Sequence, residues 1–516
     1  MEHTQRRKFL QSVGSLAAAS TLGSLTPRSA VATEPPAESD LPFLPLVKVA
    51  DLIRTRVVSS TELTSLMLRR IDAIDGTWNA YATVMSESAL REAERADREI
   101  ARGKYRGRLH GVPIAVKDLC YTRGVRTMGG CAVRMDFVPA YDATVVSRYQ
   151  KSGAVLLGKL NLTEGAMAGY NRKLEVPVNP WDAGAWPGCS SSGSGVAASA
   201  GLAFGTLGSD TGGSIRFPAS ACGIVGLKPT WGRVSRYGVL ALAESLDHVG
   251  PMTRSVADAA IMLQAIAGSD LNDPTSLPDV VPNYMPTAGQ LTGVRIGVDE
   301  DYIGQGVDPE VATGVLAAVE VLAGLGATIC KLAVPDLSEH VEQWTTLCRV
   351  EALIAHRAYY PQRRDEYGVW YQSFLDRGTT VGVAPQASPT AEQYAQAGRH
   401  RLICNGKVAR VFHDIDLLVC PSSPALAHPV TPELQYGLDS AAGLGENWGK
   451  FTVPFDYNGA PTLSLPCGFS KTGLPLSLQL VGKHLQEAML CQAGHCYEQA
   501  TDWHTHRPPM KAPTSS

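Results

Sequence analysis

Short apolar runs recur along this chain, separated by stretches in which apolar positions return every three or four residues. Gly111 to Asp118, Ala154 to Lys159, Ile224 to Pro229 and Val294 to Val298 have the length and continuity of strands buried on both faces. Asp416 to Val419 and Thr462 to Pro466 read the same way. Between these runs the spacing becomes helical. Ser59-x-x-Glu62 makes a capping box, and Leu63, Leu66, Met67, Ile71 and Ile74 follow on one face. Glu87 to Arg102 reads as a charged, solvent-facing helix, Ser255-x-x-Asp258 opens one reaching about Ala267, and Pro309 to Ala323 forms another. Strands alternating with helices predict an α/β fold, a sheet covered by helices on both faces. Residues 341–400 are expected to be mostly helical and rich in aromatics, part pocket wall and part core. No internal repeat is visible.

One stretch departs from both periodicities. From Pro187 to Arg216 a serine-rich loop flanked by glycines leads into a run of small residues, then a second glycine loop ending in Ser214. A flexible linker would not carry Val196-Ala197-Ala198 and Leu202-Ala203-Phe204 between its glycines. Two permissive loops joined by a small-residue helix bring hydroxyls and bare backbone N–H groups to one point. We read this stretch as an active site.

Composition narrows the class. The chain has 516 residues, 44% hydrophobic and 18% charged, which suits a globular enzyme with a large core. A formal charge of -3 offers no basic face for nucleic acid. Arg6-Arg7-Lys8-Phe9-Leu10, a modest apolar stretch from Val13 to Leu25, and Ala30-Val31-Ala32 form a twin-arginine signal with cleavage near Ala32. The apolar part is too short and too rich in Ser, Gly and Thr to span a membrane stably, so a periplasmic or secreted protein is expected. The organisation then reads as a signal over 1–32, a tether over 33–58, one catalytic domain over 59–506 and a loose tail over 507–516. The eleven cysteines are scattered and sit mostly in apolar runs, as buried free thiols do. With no Cys-x-x-Cys or His-Glu-x-x-His pattern and no clustering of the twelve histidines, neither a metal nor a cofactor is expected.

A serine hydroxyl needs a neighbouring base to become a nucleophile. No Gly-x-Ser-x-Gly elbow is present and no histidine lies in either serine loop. A lysine at the end of a buried strand can serve instead, provided desolvation keeps it neutral. Lys117 is the candidate; from its own segment alone it reads equally well as a snorkelling strand-end lysine. Ser214 is then the nucleophile, a first-loop serine the bridge, and the amides of Thr211-Gly212-Gly213-Ser214 an oxyanion site. A phosphate loop is excluded by the absence of Gly-x-x-x-x-Gly-Lys-Ser/Thr.

These motifs resemble those of the amidase signature family. The resemblance covers Gly111 to Asp118, Asn179-Pro180-Trp181, the serine loops, Gly223 to Thr230 and Ser245 to Pro251, and returns from Phe451 to Gly482. It implies an amidase-signature fold with a large mixed sheet, and cofactor-free hydrolysis of a carbon–nitrogen amide bond through a Ser–cisSer–Lys triad. Ser214 falls on the nucleophile, Lys117 on the base and Ser190 on the bridging serine that follows a cis peptide. Ser191 supports them, while Asp210 and Arg216 brace the loop. The implied partner is a small amide-type substrate, with anilides, carbamates and esters in range and a homodimer left open. One departure stands out: Cys189 replaces the second of two glycines before the bridging serine, which leaves Ser191 as an alternative bridge. Parts of 226–258 also resemble the A-type component of a glutamine-dependent amidotransferase acting on aminoacyl-tRNA, against which the export signal argues. A non-catalytic binding protein on the same scaffold is disfavoured because every triad position is filled.

Overall fold

The apolar runs become the centre of one sheet. The computed structural model describes residues 37–377, 389–440 and 442–511. The expected signal over 1–32 and the start of the expected tether lie outside the described residues. The strands are β1 (Tyr81–Val84), β2 (Pro113–Lys117), β3 (Val155–Leu160) and β4 (Thr206–Asp210). They continue as β5 (Val225–Lys228), β6 (His248–Thr253), β7 (Arg295–Val298) and β8 (Thr328–Lys331). The set closes with β9 (Leu417–Pro421), β10 (Thr462–Phe469) and β11 (Pro475–Gly482). Their order across the sheet is β1-β3-β2-β4-β6-β5-β10-β11-β9-β7-β8. The sheet is mixed: β2 runs parallel to β3 and β4, β7 runs parallel to β8 and β9, and the other pairs are antiparallel. Every residue of β2, β3, β4, β9 and β11 is buried, so both faces of the central strands are covered. The predicted α/β class and mixed sheet are both present.

Local chemistry explains the helix ends. Ser59 Oγ accepts from the Glu62 amide at 3.1 Å while the Ser59 amide donates to Glu62 Oε2 at 3.0 Å, which closes the expected capping box on helix Ser60–Trp78. Helix Ser86–Ala101 corrects the solvent-facing expectation. Its charges occupy one side only, and Ala89, Ala93, Ala96 and Ile100 are buried on the other.

The tether is also corrected. Residues 46–54 form a helix that buries Leu46, Val49, Ala50 and Ile53, and the amides of Leu46 and Val47 each donate to the Asp258 carboxylate at 2.9 Å. The start of the supposed loose tail is likewise held, by the Arg507–Asp40 ion pair at 2.8 Å. The 341–400 region carries helices Ser338–His356 and Val369–Arg377 and the start of Ala391–Val411, with 378–388 outside the described residues. All eleven cysteines are free, and all but Cys330 are buried.

Candidate active site

The site forms where β2 and β4 end side by side. Their parallel pairing, Val116 opposite Leu207, puts the C-terminal residue of β2, Lys117, beside the end of β4. The first serine loop drops onto these strand ends and continues into helix Ser192–Ser199. Close approach is what its small residues permit. A Cβ on Gly193 would lie 2.5 Å from the Ala80 carbonyl oxygen and 2.6 Å from that of Asn161.

Lys117 is fully buried, and its ammonium nitrogen lies 2.8 Å from Ser190 Oγ, 2.8 Å from Ser191 Oγ and 2.9 Å from Ser209 Oγ. Loss of solvation lowers its pKa from 10.5 to about 7, against the opposing pull of Asp210. The strand-end lysine therefore does not snorkel. Sequence reasoning missed Ser209, which lies on β4, a strand with no exposed position that its sequence does not announce. Ser191 also exchanges bonds with Ser209, accepting from its amide at 3.3 Å and donating to its carbonyl at 3.1 Å.

Ser214 sits in the turn between β4 and helix Arg216–Cys222 and keeps 8% of its surface exposed, whereas Lys117, Ser190 and Ser191 have none. Its carbonyl accepts from the Ser191 amide at 3.3 Å, which joins the two serine loops. Its hydroxyl has no hydrogen-bond partner among the described residues. The Cys189–Ser190 peptide is cis. The lysine reaches Ser190 and Ser191 equally, so its contacts do not choose between them as the bridge. Cys189 fits because the left-handed conformation is needed one residue earlier, at Gly188, with φ +86°. Burial pushes the Cys189 thiol up to about 12, which keeps it neutral and unreactive at physiological pH.

The oxyanion expectation needs one correction. The Gly213 amide already donates to Asp210 Oδ1 at 2.6 Å, so it is not free for a ligand. Among the described residues, the amides of Thr211, Gly212 and Ser214 have no partner. Asp210 braces the turn as expected. Its carboxylate accepts from the Ile215 amide at 2.9 Å, from Arg216 Nε at 3.0 Å and from Arg216 Nη2 at 2.9 Å. Burial acts to raise the Asp210 pKa, but the Arg216 charge overrules it and holds the group well below the usual carboxylate range. Arg216 is fully buried, also pairs with Asp456, and donates to the Thr452 carbonyl at 3.0 Å and to Gln479 Oε1 at 3.2 Å. These partners lie over 230 residues away, beyond the reach of any local pattern. Asp247 is a second brace, accepting from Thr211 Oγ1 at 2.5 Å and from the amides of Leu242 and Ala243.

Trp344 connects the turn to open space. Its indole donates to the Thr211 carbonyl at 2.7 Å and its ring packs against Gly212. Trp344 also lines a cavity of about 840 Å³, together with Met167, Trp370, Trp448, Arg349 and others. Ser190, Ser191 and Ser214 are not among the residues that line this cavity. Of the aromatics in 341–400, Trp344 and Trp370 face the cavity, whereas Tyr371 is fully buried core. Among the described residues, two histidines do come together with a carboxylate: Glu339, His340 and His400 offer ligand atoms within 4.8 Å of one another. Glu339 is already paired with Lys407 at 2.7 Å.

Both the sequence and the fold have relatives among known proteins. The family model described as Amidase matches residues 62–491. The chain is 45% identical over 473 residues to a Mycobacterium tuberculosis protein named "Putative amidase AmiD", covering 92% of this chain and 97% of that one. It is 40% identical to the A-type component of the glutamyl-tRNA(Gln) amidotransferase of Moorella thermoacetica, covering 91% and 99%. Among solved structures it resembles a 6-aminohexanoate cyclic dimer hydrolase with a TM-score of 0.80 and 29% identity, covering 91% of this chain and 99% of that one.

Proposed function

The chain belongs to the amidase family, and from that premise we propose that it hydrolyses a carbon–nitrogen amide bond through Ser214, Ser190 and Lys117. The observation that carries this reading is a lysine amine, buried and brought near neutrality at pH 7, in hydrogen-bond contact with the hydroxyl of Ser190. Neutral Lys117 takes the proton of Ser190 Oγ as Ser190 takes that of Ser214 Oγ, and Ser214 attacks the amide carbon. The amides of Thr211, Gly212 and Ser214 receive the charge that develops on the carbonyl oxygen; one such donor typically contributes about 2.7–4 kcal/mol. The proton returns along the same path to the leaving amine, and water then releases the acid from the acyl-enzyme. Ser191 and Ser209 hold the amine in line. Export by the twin-arginine route, with cleavage near Ala32, completes the proposal and rests on the sequence motif alone.

The test compares the protein with its Ser214→Ala variant on primary amides, anilides, carbamates and esters, with products identified by mass. Turnover lost in the variant, together with phosphonate labelling of Ser214 in the parent, supports the reading. Turnover that survives Ser214→Ala refutes it. The likeness to the amidotransferase component favours a second reading, ammonia release from glutamine for a partner protein. Glutamine hydrolysis that rises only on adding a partner would favour that alternative.

A further inference from the structure

Helix Ser338–His356 begins with a histidine whose polar atoms are buried unpaired. The His340 side chain has no exposed surface, and neither Nδ1 nor Nε2 has a hydrogen-bond partner among the described residues. A neutral imidazole brings one donor and one acceptor, and burying either of them unmade is costly. The histidine at the other end of the same helix shows the ordinary arrangement. His356 is also buried, and its two nitrogens meet the hydroxyls of Tyr367 at 2.9 Å and Tyr371 at 3.0 Å.

His340 faces two other groups of the ligand type. Its Nε2 lies 3.6 Å from Glu339 Oε1, and His400 Nδ1, itself buried without a hydrogen-bond partner among the described residues, lies 3.9 Å from Glu339 Oε2. One ligand atom from each of the three falls within 4.8 Å of the other two. These separations are too long for hydrogen bonds. They suit atoms that share an ion: zinc held at about 2.0–2.2 Å by nitrogen and oxygen keeps its tetrahedral ligands about 3.3–3.6 Å apart. The Glu339 side chain stays 45% exposed, so it can swing inward and an ion can enter beside it. The charge balance agrees. Lys407 donates to Glu339 Oε1 at 2.7 Å and to the Asp336 carbonyl at 2.7 Å, and the Asp336 carboxylate also acts on His340. Two carboxylates thus stand against one ammonium. Two imidazoles and a carboxylate favour an ion of the zinc type over calcium or magnesium, which seek oxygen ligands.

We propose that Glu339, His340 and His400 form a binding site for a divalent ion of the zinc type, with its fourth position on the solvent side of Glu339. No local spacing marks the set, since His400 lies some sixty residues from His340. The ion ties the first turn of helix Ser338–His356 to the middle of helix Ala391–Val411. Trp344 follows His340 by one turn, about 6 Å along the helix axis, and packs on Gly212. The clip therefore steadies the helix that braces the Ser214 turn. It is a structural site, and it stands whether or not the protein hydrolyses amides.

The test strips the full chain of metal with a chelator and titrates it with Zn²⁺ by calorimetry, in a buffer that does not bind the ion. One ion per chain is expected, with a micromolar or tighter dissociation constant. Glu339→Gln and His400→Gln should each weaken binding by about tenfold or more, and His340→Gln by at least as much. Lys407→Met removes the competing cation and should tighten it. Co²⁺ in place of Zn²⁺ should show the visible absorption of a four-coordinate nitrogen and oxygen site, without the near-ultraviolet band that a thiolate ligand adds. Absence of stoichiometric binding, binding that survives both Glu339→Gln and His400→Gln, binding no tighter in Lys407→Met, or a thiolate band each overturn the proposal. If His340→Gln fails to fold, the variants at the two partly exposed positions still decide.

Discussion

Lys117 must be neutral to accept a proton, and its environment brings its pKa to about 7. The neutral fraction falls tenfold per pH unit below that value, so at pH 5.5 about one lysine in thirty remains competent. The rate of Ser214 phosphonylation is therefore expected to fall about thirtyfold between the plateau above pH 8 and pH 5.5, along a single ascending limb. Lys117→Ala should lower the plateau by about 10²–10⁴-fold, the usual contribution of a positioned base. Three other buried groups titrate in the same range: Lys228, lowered by burial to about 7, Glu164, pushed up by burial to about 7, and Asp247, to about 6. Glu164→Gln should leave the limb in place, which separates that group from Lys117.

Stability supplies an independent reading of the same amine. The unfolded lysine keeps its proton to about 10.4, whereas the folded one sheds it near 7. Between those values the unfolded chain binds the extra proton, so this group makes stability rise with pH, by about 1.4 kcal/mol per unit. Below 7 the penalty for burying the lysine is fully present. Lys117→Met should remove that slope, measured as the difference between parent and variant in urea unfolding from pH 7 to 9. A phosphonylation rate flat from pH 5.5 to 8.5, or a stability slope unchanged in Lys117→Met, would refute the assignment of a neutral lysine.

Further outcomes follow from the same contacts. Ser209→Ala takes one acceptor from the Lys117 ammonium, so the pKa should fall further and the limb move to lower pH, with a plateau loss of up to about tenfold. A limb that moves upward would contradict this. Arg216→Met leaves Asp210 and Asp456 buried without their cation and should cost about 3–5 kcal/mol in urea unfolding, a loss that exceeds ordinary core substitutions only if the pairing is as drawn. Gly188→Ala combines φ +86° with a Cβ placed 2.3 Å from Pro218 Cα, backbone that cannot swing aside. A stability loss of about 2 kcal/mol or more is expected, and a neutral effect would mean the loop is conformationally free.

Lys117, Ser214 and a serine of the first loop stood out in the chain as candidates because their chemistry is local (strand-end lysine, hydroxyl loops, glycines), whereas the choice of Ser190 and Ser191 came from the family resemblance. The six continuous apolar runs were legible for the same reason, since a strand buried on both faces writes itself as an unbroken run. Strand β4 was not, although it holds Ser209 and Asp210. Thr206-Leu207-Gly208-Ser209-Asp210 has neither alternation nor apolar continuity, and it is a strand because β2 and β6 pair with it on either side. The tether was misread for a related reason, as the helix over 46–54 is set by Asp258, some 210 residues away.

Sequence alone determined which groups are available for catalysis and the order in which the elements occur, because both depend on neighbours in the chain. Only the tertiary structure decided that Lys117 is dry, that Gly213 is already spent on Asp210, and that Glu339, His340 and His400 converge between two helices. Solvation and pairing belong to what surrounds a group in space, and those surroundings are assembled here from segments hundreds of residues apart.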